Sequence, residues 1–225
     1  MVRLLPAAVL LAWSPAALAW PYTPWTGATG RGVFAVNPYV ELYGDGLDFN
    51  PWVLYGVSDR VDLIAGYTNT VDRPVPAISG PGRVDLLGRV AWSDAVIGAL
   101  VLGSDLQGAT DLGVELHGNW AGDRFLFTHN TGWSTTLGTP EHTLSTILAP
   151  EVRFATGAWA FVEGNPSVTL VQGEPGFALS FTPGMTAALD REENHLLTVA
   201  LPVEVLPETS VTLGLCYWGA FPTRE

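Results

Sequence analysis

In segment after segment of this 225-residue chain, apolar and polar residues take turns one for one. A period of two is the period of a β-strand with one oily face, because successive side chains point to opposite sides of the pleat. In "VNPYVELYG", Val36, Pro38, Val40 and Leu42 share one face, while Asn37, Tyr39, Glu41 and Tyr43 share the other. "RVDLLGRVAW" sets Val84, Leu86, Val90 and Trp92 against Arg83, Asp85 and Arg89. "TDLGVELHGNW" sets Leu112, Val114, Leu116 and Trp120 against Asp111, Glu115, His117 and Asn119. "APEVRF" and "LTVALPVEV" continue the pattern. Helical periodicity is nearly absent, and 25 glycines and 17 prolines punctuate the chain throughout.

The pattern predicts twelve strands, over residues 33–44, 49–57, 61–72, 82–92, 95–105, 109–120, 124–135, 143–155, 159–171, 176–188, 195–206 and 210–220. Pro38, Pro51, Pro150, Pro166, Pro183 and Pro202 fall inside them. Proline removes a ladder donor, so strands broken at some of these positions would lower the count to ten.

Residues 1–19, "MVRLLPAAVLLAWSPAALA", read as a secretory signal. Arg3 is the basic start, Leu4 to Trp13 the apolar segment, and Ala17-Leu18-Ala19 the small-residue cleavage site. The expected organisation is then a signal peptide over 1–19, a periplasmic segment over 20–32 and one sheet domain over 33–225. Cys216 is the only cysteine, so no internal disulfide holds the fold. No later segment reaches 18 consecutive apolar residues, so no membrane helix is expected. Yet 48% of residues are hydrophobic and only 14% charged. An exported chain this apolar must bury an unusual amount or face lipid through strands. Net charge is −12 and lysine is absent, which opposes a nucleic-acid partner.

A water-soluble sandwich shares the period of two, with its oily face turned inward. Two features favour the opposite orientation. Connections alternate short and long: 58–60, 93–94, 121–123 and 156–158 are short, while "TVDRPVPAISGPGR", "SDLQGAT", "STTLGTPEHT" and "VQGEPG" are longer. Unlike ends of this kind mark an up-and-down membrane barrel with short periplasmic turns. Aromatics on the apolar phase also cluster by level. Tyr55, Trp92, Trp120 and Phe154 each fall within three residues of a short turn, and Tyr67 and Trp133 lie towards the other end. Such residues prefer the membrane–water boundary. A strand of ~10 residues tilted ~45° spans about 23 Å, close to the apolar band of such barrels.

The hairpin "LYGVSDRVDLIAGY" resembles those of bacterial outer-membrane β-barrels of the porin-like or transporter type, a resemblance of style that extends over residues 33–221. Such proteins commonly end on an aromatic residue read by the insertion machinery; here Phe221 is followed by four more residues. The resemblance implies an all-β, up-and-down antiparallel transmembrane barrel in the outer membrane of a Gram-negative bacterium. Its partners would be the lipid bilayer and the outer-membrane insertion machinery.

With the oily face outward, the lumen carries Glu41, Asp62, Asp72, Arg83, Asp85, Arg89, Asp111, Glu115, Glu151, Arg153, Glu163 and Glu204, nine acids and three bases. An open path with this excess favours cations; arginine–carboxylate pairing instead plugs a narrow barrel. His117, His129, His142 and His195 have no metal-ligand spacing, and neither metal nor cofactor is expected. Calcium on Asp45, Asp48 or Glu174 lacks a loop motif. "HNTGWS", His129 to Ser134, is the one cluster that fits an outer-membrane lipid-modifying enzyme, and it shows no triad order, so no catalytic residue is assigned. The reading is a small channel or transporter-like pore with an acidic lumen. The alternatives are a lipid-modifying enzyme, a plugged structural or ligand-binding barrel, and a secreted soluble β-protein.

Overall fold

The computed structural model describes residues 29–44, 46–72, 77–78, 82–93 and 95–222. The signal peptide, most of the segment 20–32, Asp45 and most of the loop after residue 72 lie outside them. Twelve strands form the wall: β1 (Val33–Tyr43), β2 (Gly46–Ser58), β3 (Val61–Asp72), β4 (Arg83–Ser93), β5 (Val96–Ser104), β6 (Thr110–Ala121), β7 (Phe125–Thr136), β8 (Glu141–Ala155), β9 (Ala158–Val171), β10 (Glu174–Ala188), β11 (His195–Ala200 and Val203–Leu206) and β12 (Ser210–Val211 and Leu213–Pro222). Each pairs antiparallel with the next, and β1 pairs with β12 from Val33↔Pro222 to Leu42↔Leu213. The sheet therefore closes on itself as a twelve-stranded barrel with no free edge. Closure is what hydrocarbon demands, since it offers no partner to an unpaired backbone group.

The oily face looks outward. Leu86, Val114 and Leu201 are 49%, 50% and 48% exposed on the outside of the wall. Asp62, Asp85, Arg89, Glu151 and Glu163 are buried on the inside. A soluble sandwich would reverse this arrangement, and it is excluded.

Five of the six strand prolines sit within the wall without breaking it, and the pairing shows why. Pro38 and Pro51 face each other across the β1–β2 pair. On their far sides the ladders lapse: β1–β12 pairing skips from Val36↔Gly219 to Tyr39↔Cys216, and β2–β3 skips from Phe49↔Asn69 to Trp52↔Gly66. The missing donors thus fall where the ladder is already interrupted, so each proline costs one local lapse and not a strand. Pro150 and Pro166 occupy similar lapses between β8 and β9. Pro202 does split β11, but Leu201 N–H donates to Pro183 O at 2.9 Å and Thr212 N–H to Pro202 O at 3.0 Å, so the seam continues across the break.

The connections are less unequal than expected. "VQGEPG" is not a long loop: β9 and β10 run on to a two-residue turn, Val171↔Glu174, over Gln172 and Gly173 with φ of 54° and 87°. Positive φ at both positions is the tight hairpin geometry whose twist matches the strands. The remaining short-turn end behaves as read, and Tyr55, Trp92, Trp120 and Phe154 stand exposed on the outside beside it. Trp120 stacks on Phe127 at 5.5 Å and on His129 at 5.7 Å. Towards the other end, Trp133 stacks on His142 at 5.8 Å, and Asn69 Nδ2 donates to the Tyr67 hydroxyl.

Leu100 lies on the outer face of β5, midway along a nine-residue strand. Leu100→Arg places a charge against hydrocarbon and is expected to weaken folding into lipid vesicles by about 2–4 kcal/mol, read from urea titration of the vesicle-inserted barrel.

Candidate functional site: the barrel lumen

The inside of the barrel has two unlike walls. On the β11-to-β5 side an apolar cluster fills the half nearer the short turns: Ala35, Trp52, Leu54, Ile64, Leu87, Val101 and Trp218. Trp52 lies flat over Gly66, where a Cβ would meet its ring at 2.5 Å. Beside the cluster, Arg89 Nη2 donates to Asp62 Oδ2 at 2.7 Å, and both side chains are 1% exposed. Asp62 holds a second partner: Thr29 donates to Oδ1 from its backbone N–H at 3.0 Å and from its hydroxyl at 2.8 Å. Residues 29–32 therefore lie against the β2–β3 wall at the short-turn mouth. Gly32 N–H donates to Gly56 O at 2.8 Å, and a Cβ at Gly56 would come within 1.8 Å of the Gly30 carbonyl oxygen. Only glycine at 56 admits the segment at this approach.

Towards the outer end, carboxylates are held close to the wall. Arg83 donates to Asp85 at 2.8 Å and to Asp111 at 2.5 Å, spanning β4 to β6 over Gly103. Thr136 extends this chain by donating to Asp111 at 2.6 Å. Glu115 Oε2 lies 2.8 Å from His117 Nε2 and accepts from Asn130 Nδ2 at 3.3 Å. Tyr39 and Thr212 hydroxyls donate to Glu41, and Tyr43 and Thr70 hydroxyls to Asp48.

The opposite wall, β7 to β10, carries mainly small hydroxyls and amides, with Ile147, Phe161, Glu151 and Glu163 among them. Strand pairing aligns them level by level: Ser134–Thr143–Thr169, then Gly132–Ser145–Ser167, then Asn130–Ile147 beside Asn165–Ser180, then Thr128–Ala149 beside Glu163–Thr182, and finally Glu151 against Phe161. Several of their polar atoms are buried without a hydrogen-bond partner among the described residues: Thr128 Oγ1, Asn130 Oδ1 and Asn165 Oδ1, with Asn119 Oδ1 alongside on β6. A buried polar atom left by the protein is satisfied by water or by a solute. The lumen thus has a polar lane on one side, ended towards the short turns by a buried apolar cluster of Phe161, Ala200, Cys216 and Tyr39, and faced by an apolar and ion-paired wall.

The twelve charged residues read from the sequence do not form one group. Asp85, Arg83, Asp111 and Glu115 belong to the outer networks; Asp62 and Arg89 pair with each other; Glu151 and Glu163 stand in the lane; Glu41 bonds to hydroxyls. Arg153 sits at the short-turn rim, bonded to Glu193 at 2.9 Å and over the Trp159 ring at 4.9 Å. Glu204 is exposed and accepts from Ser210 at 2.8 Å. Asp72 pairs with Gly46 at the end of β3, and its side chain lies outside the described residues. His129 and Ser134 fall on opposite faces of β7, His129 outside against Trp120 and Ser134 inside, so they cannot act as a pair. No group of three or more His, Cys, Asp or Glu side chains suited to a metal occurs among the described residues. Sequence reasoning missed the lane, because it weighed charges; the signal was present in "THNTGWSTT" and "HTLST", where hydroxyls and amides recur at every second position.

A closed antiparallel barrel, oily outside, girdled by aromatics and polar within, defines an outer-membrane β-barrel. Its fold is shared with the COG4313 outer membrane channel from Pseudomonas putida F1, over 87% of this chain and 97% of that one, with a TM-score of 0.59 at 8% identity. A loop-deleted form of OmpT, an outer membrane protein of Vibrio cholerae, aligns over 84% of this chain and 98% of that one with a TM-score of 0.49 at 8% identity. Compared by sequence, the chain matches no family model and no curated protein.

Breaking the buried pair by Asp62→Asn removes the carboxylate bonded to Arg89 and is expected to cost about 3–5 kcal/mol. The loss is read from urea unfolding in detergent, and the double substitution Asp62→Leu with Arg89→Met is expected to recover most of it.

Proposed function

We propose that this barrel is a narrow outer-membrane channel for small polar solutes with a preference for cations. The polar lane carries the reading: a series of hydroxyls and amides recurring along one wall, with buried polar atoms that find no partner among the described residues, is what a hydrated path requires. The carboxylate excess supports the preference in sign. Arg83, Arg89 and Arg153 are each bonded to carboxylates, whereas Glu41 and Asp48 accept from hydroxyls. The partners of the lane are therefore water, the bilayer outside, and a passing solute.

The segment at residues 29–32 acts as a latch at the short-turn mouth. Its anchor is Asp62, which is itself fastened by Arg89, so the latch is tied to the wall through one carboxylate. A second reading, a plugged barrel serving structure or ligand binding, is favoured by the apolar cluster that fills the opposite side.

Single-channel recording in planar bilayers separates the two. In a Cys216→Ser background, Ser145→Cys labelled with a positively charged methanethiosulfonate is expected to lower conductance stepwise, and the reversal potential in a KCl gradient takes the cation sign. A barrel that never conducts above background supports the plug. Gly56→Val, which displaces residues 29–32, is expected to raise open probability; an unchanged value removes the latch from the gating scheme.

A further inference from the structure

The outside of the wall is not evenly filled. On the outer face of β2 to β5, pairing sets Gly88 between Leu63 and Leu100, and Ala65 between Val53 and Leu86. Two small residues thus stand among large ones, and a groove of about 470 Å³ runs over them. Other glycines on the outer face are roofed by rings. A Cβ at Gly98 would meet the Trp92 ring at 2.7 Å, one at Gly219 the Tyr217 side chain at 2.6 Å, and one at Gly118 the His129 ring. A Cβ at Gly88 would meet nothing within 4 Å. The groove is therefore a gap in a surface that fills its other hollows with its own side chains.

The short-turn end of this groove carries a charge. Arg60 closes the β2–β3 turn, and its carbonyl oxygen accepts from Ala91 N–H at 2.8 Å. That bond seats Arg60 between β3 and β4, just beyond the Val61↔Val90 pair. Leu63, at the foot of the groove, follows three residues later, about 10 Å along the strand. The Arg60 side chain is exposed and forms no ion pair among the described residues. The neighbouring acid, Asp59, accepts from the backbone N–H of Arg31 at 3.3 Å, which brings a second exposed arginine to the same mouth. An apolar trough against hydrocarbon, with a guanidinium at the membrane–water boundary, complements an acyl chain below an anionic headgroup. Arginine suits a phosphate in particular, because its planar fork donates two parallel hydrogen bonds. We propose that the outer face of β2 to β5 seats one anionic glycerophospholipid from the leaflet at the short turns, with an acyl chain over Gly88 and Ala65 and its phosphate at Arg60. A lipid of the opposite leaflet does not fit, since its headgroup lies at the other end of the wall from Arg60. The seat is outside the barrel, so it stands whether or not the lumen conducts.

The test is native mass spectrometry of the purified, folded barrel in detergent, titrated with dioleoyl-phosphatidylglycerol or with dioleoyl-phosphatidylcholine. The expected result is a single lipid bound ahead of all others, with phosphatidylglycerol preferred. Gly88→Ile fills the groove with a side chain that strands favour, in open space, and is expected to weaken that first binding about fivefold. Arg60→Gln is expected to abolish the preference between the two headgroups. Val162→Ala, on the outer face of β9, is expected to change neither; an equal loss there overturns the location. A wild-type barrel that takes up several lipids with equal affinity and no headgroup preference overturns the seat, as does a first binding that survives Gly88→Ile undiminished. Should Gly88→Ile fail to fold, a headgroup preference that persists in Arg60→Gln overturns it. A dimer that Gly88→Ile dissociates assigns the groove to a second copy of the chain and likewise overturns the lipid.

Discussion

Hydrogen bonding of the backbone governs everything else in this molecule. A strand in hydrocarbon has no solvent to satisfy its N–H and C=O groups, so each must find a neighbour on both sides. The β1–β12 seam supplies the last of those neighbours. The rule also explains how so many prolines are tolerated. Each missing donor is placed where the ladder already lapses on one side, while pairing on the other side runs on without interruption. Once the ring is closed, the alternation of side chains has only one meaning: odd and even positions part company between lipid and lumen.

The interior then has to solve a problem that lipid does not pose. Among the described residues, Asp62, Asp85, Glu151 and Glu163 are buried on the inside, with Arg89 the one arginine buried beside them. Three devices share the task. Arginines span neighbouring strands, as Arg83 does between Asp85 and Asp111. Hydroxyls stand in for cations at Glu41 and Asp48. One side is packed with tryptophan and aliphatic side chains, which reduces the volume that must be wet. The remaining polar space is confined to the β7-to-β10 wall, and function is read from that wall.

Much of this was legible in the sequence. Alternation in "TDLGVELHGNW" and "RVDLLGRVAW" specified the strands, and the short turns with the aromatics beside them gave the orientation. It was less informative in "PWVLYGV", where Leu54 turns inward between Val53 and Tyr55. A strand with apolar residues on both faces looks the same whichever way it is turned. Ile64, Leu87 and Val101 were hidden for the same reason, and with them the packed side of the lumen. The partition of the charged residues into separate networks was also beyond reach, since it depends on which strands are neighbours across the ring and on glycines such as Gly103 that let a guanidinium lie flat. The tight Gln172–Gly173 turn could have been seen, for a glycine between two alternating runs is a hairpin signal.

The placement of β1 beside β12 has a bearing on how the molecule is assembled. Eleven of the twelve seams join strands adjacent along the polypeptide, and each can zip locally as a hairpin. The twelfth brings opposite ends of the chain together, so the ring stays an open ribbon until the final strand arrives. Because Val33 and Pro222 finish side by side, the order in which the hairpins are threaded is a matter of history and not of architecture: a circularly permuted chain, cut at any outer hairpin and joined at the old ends, would describe the same cylinder.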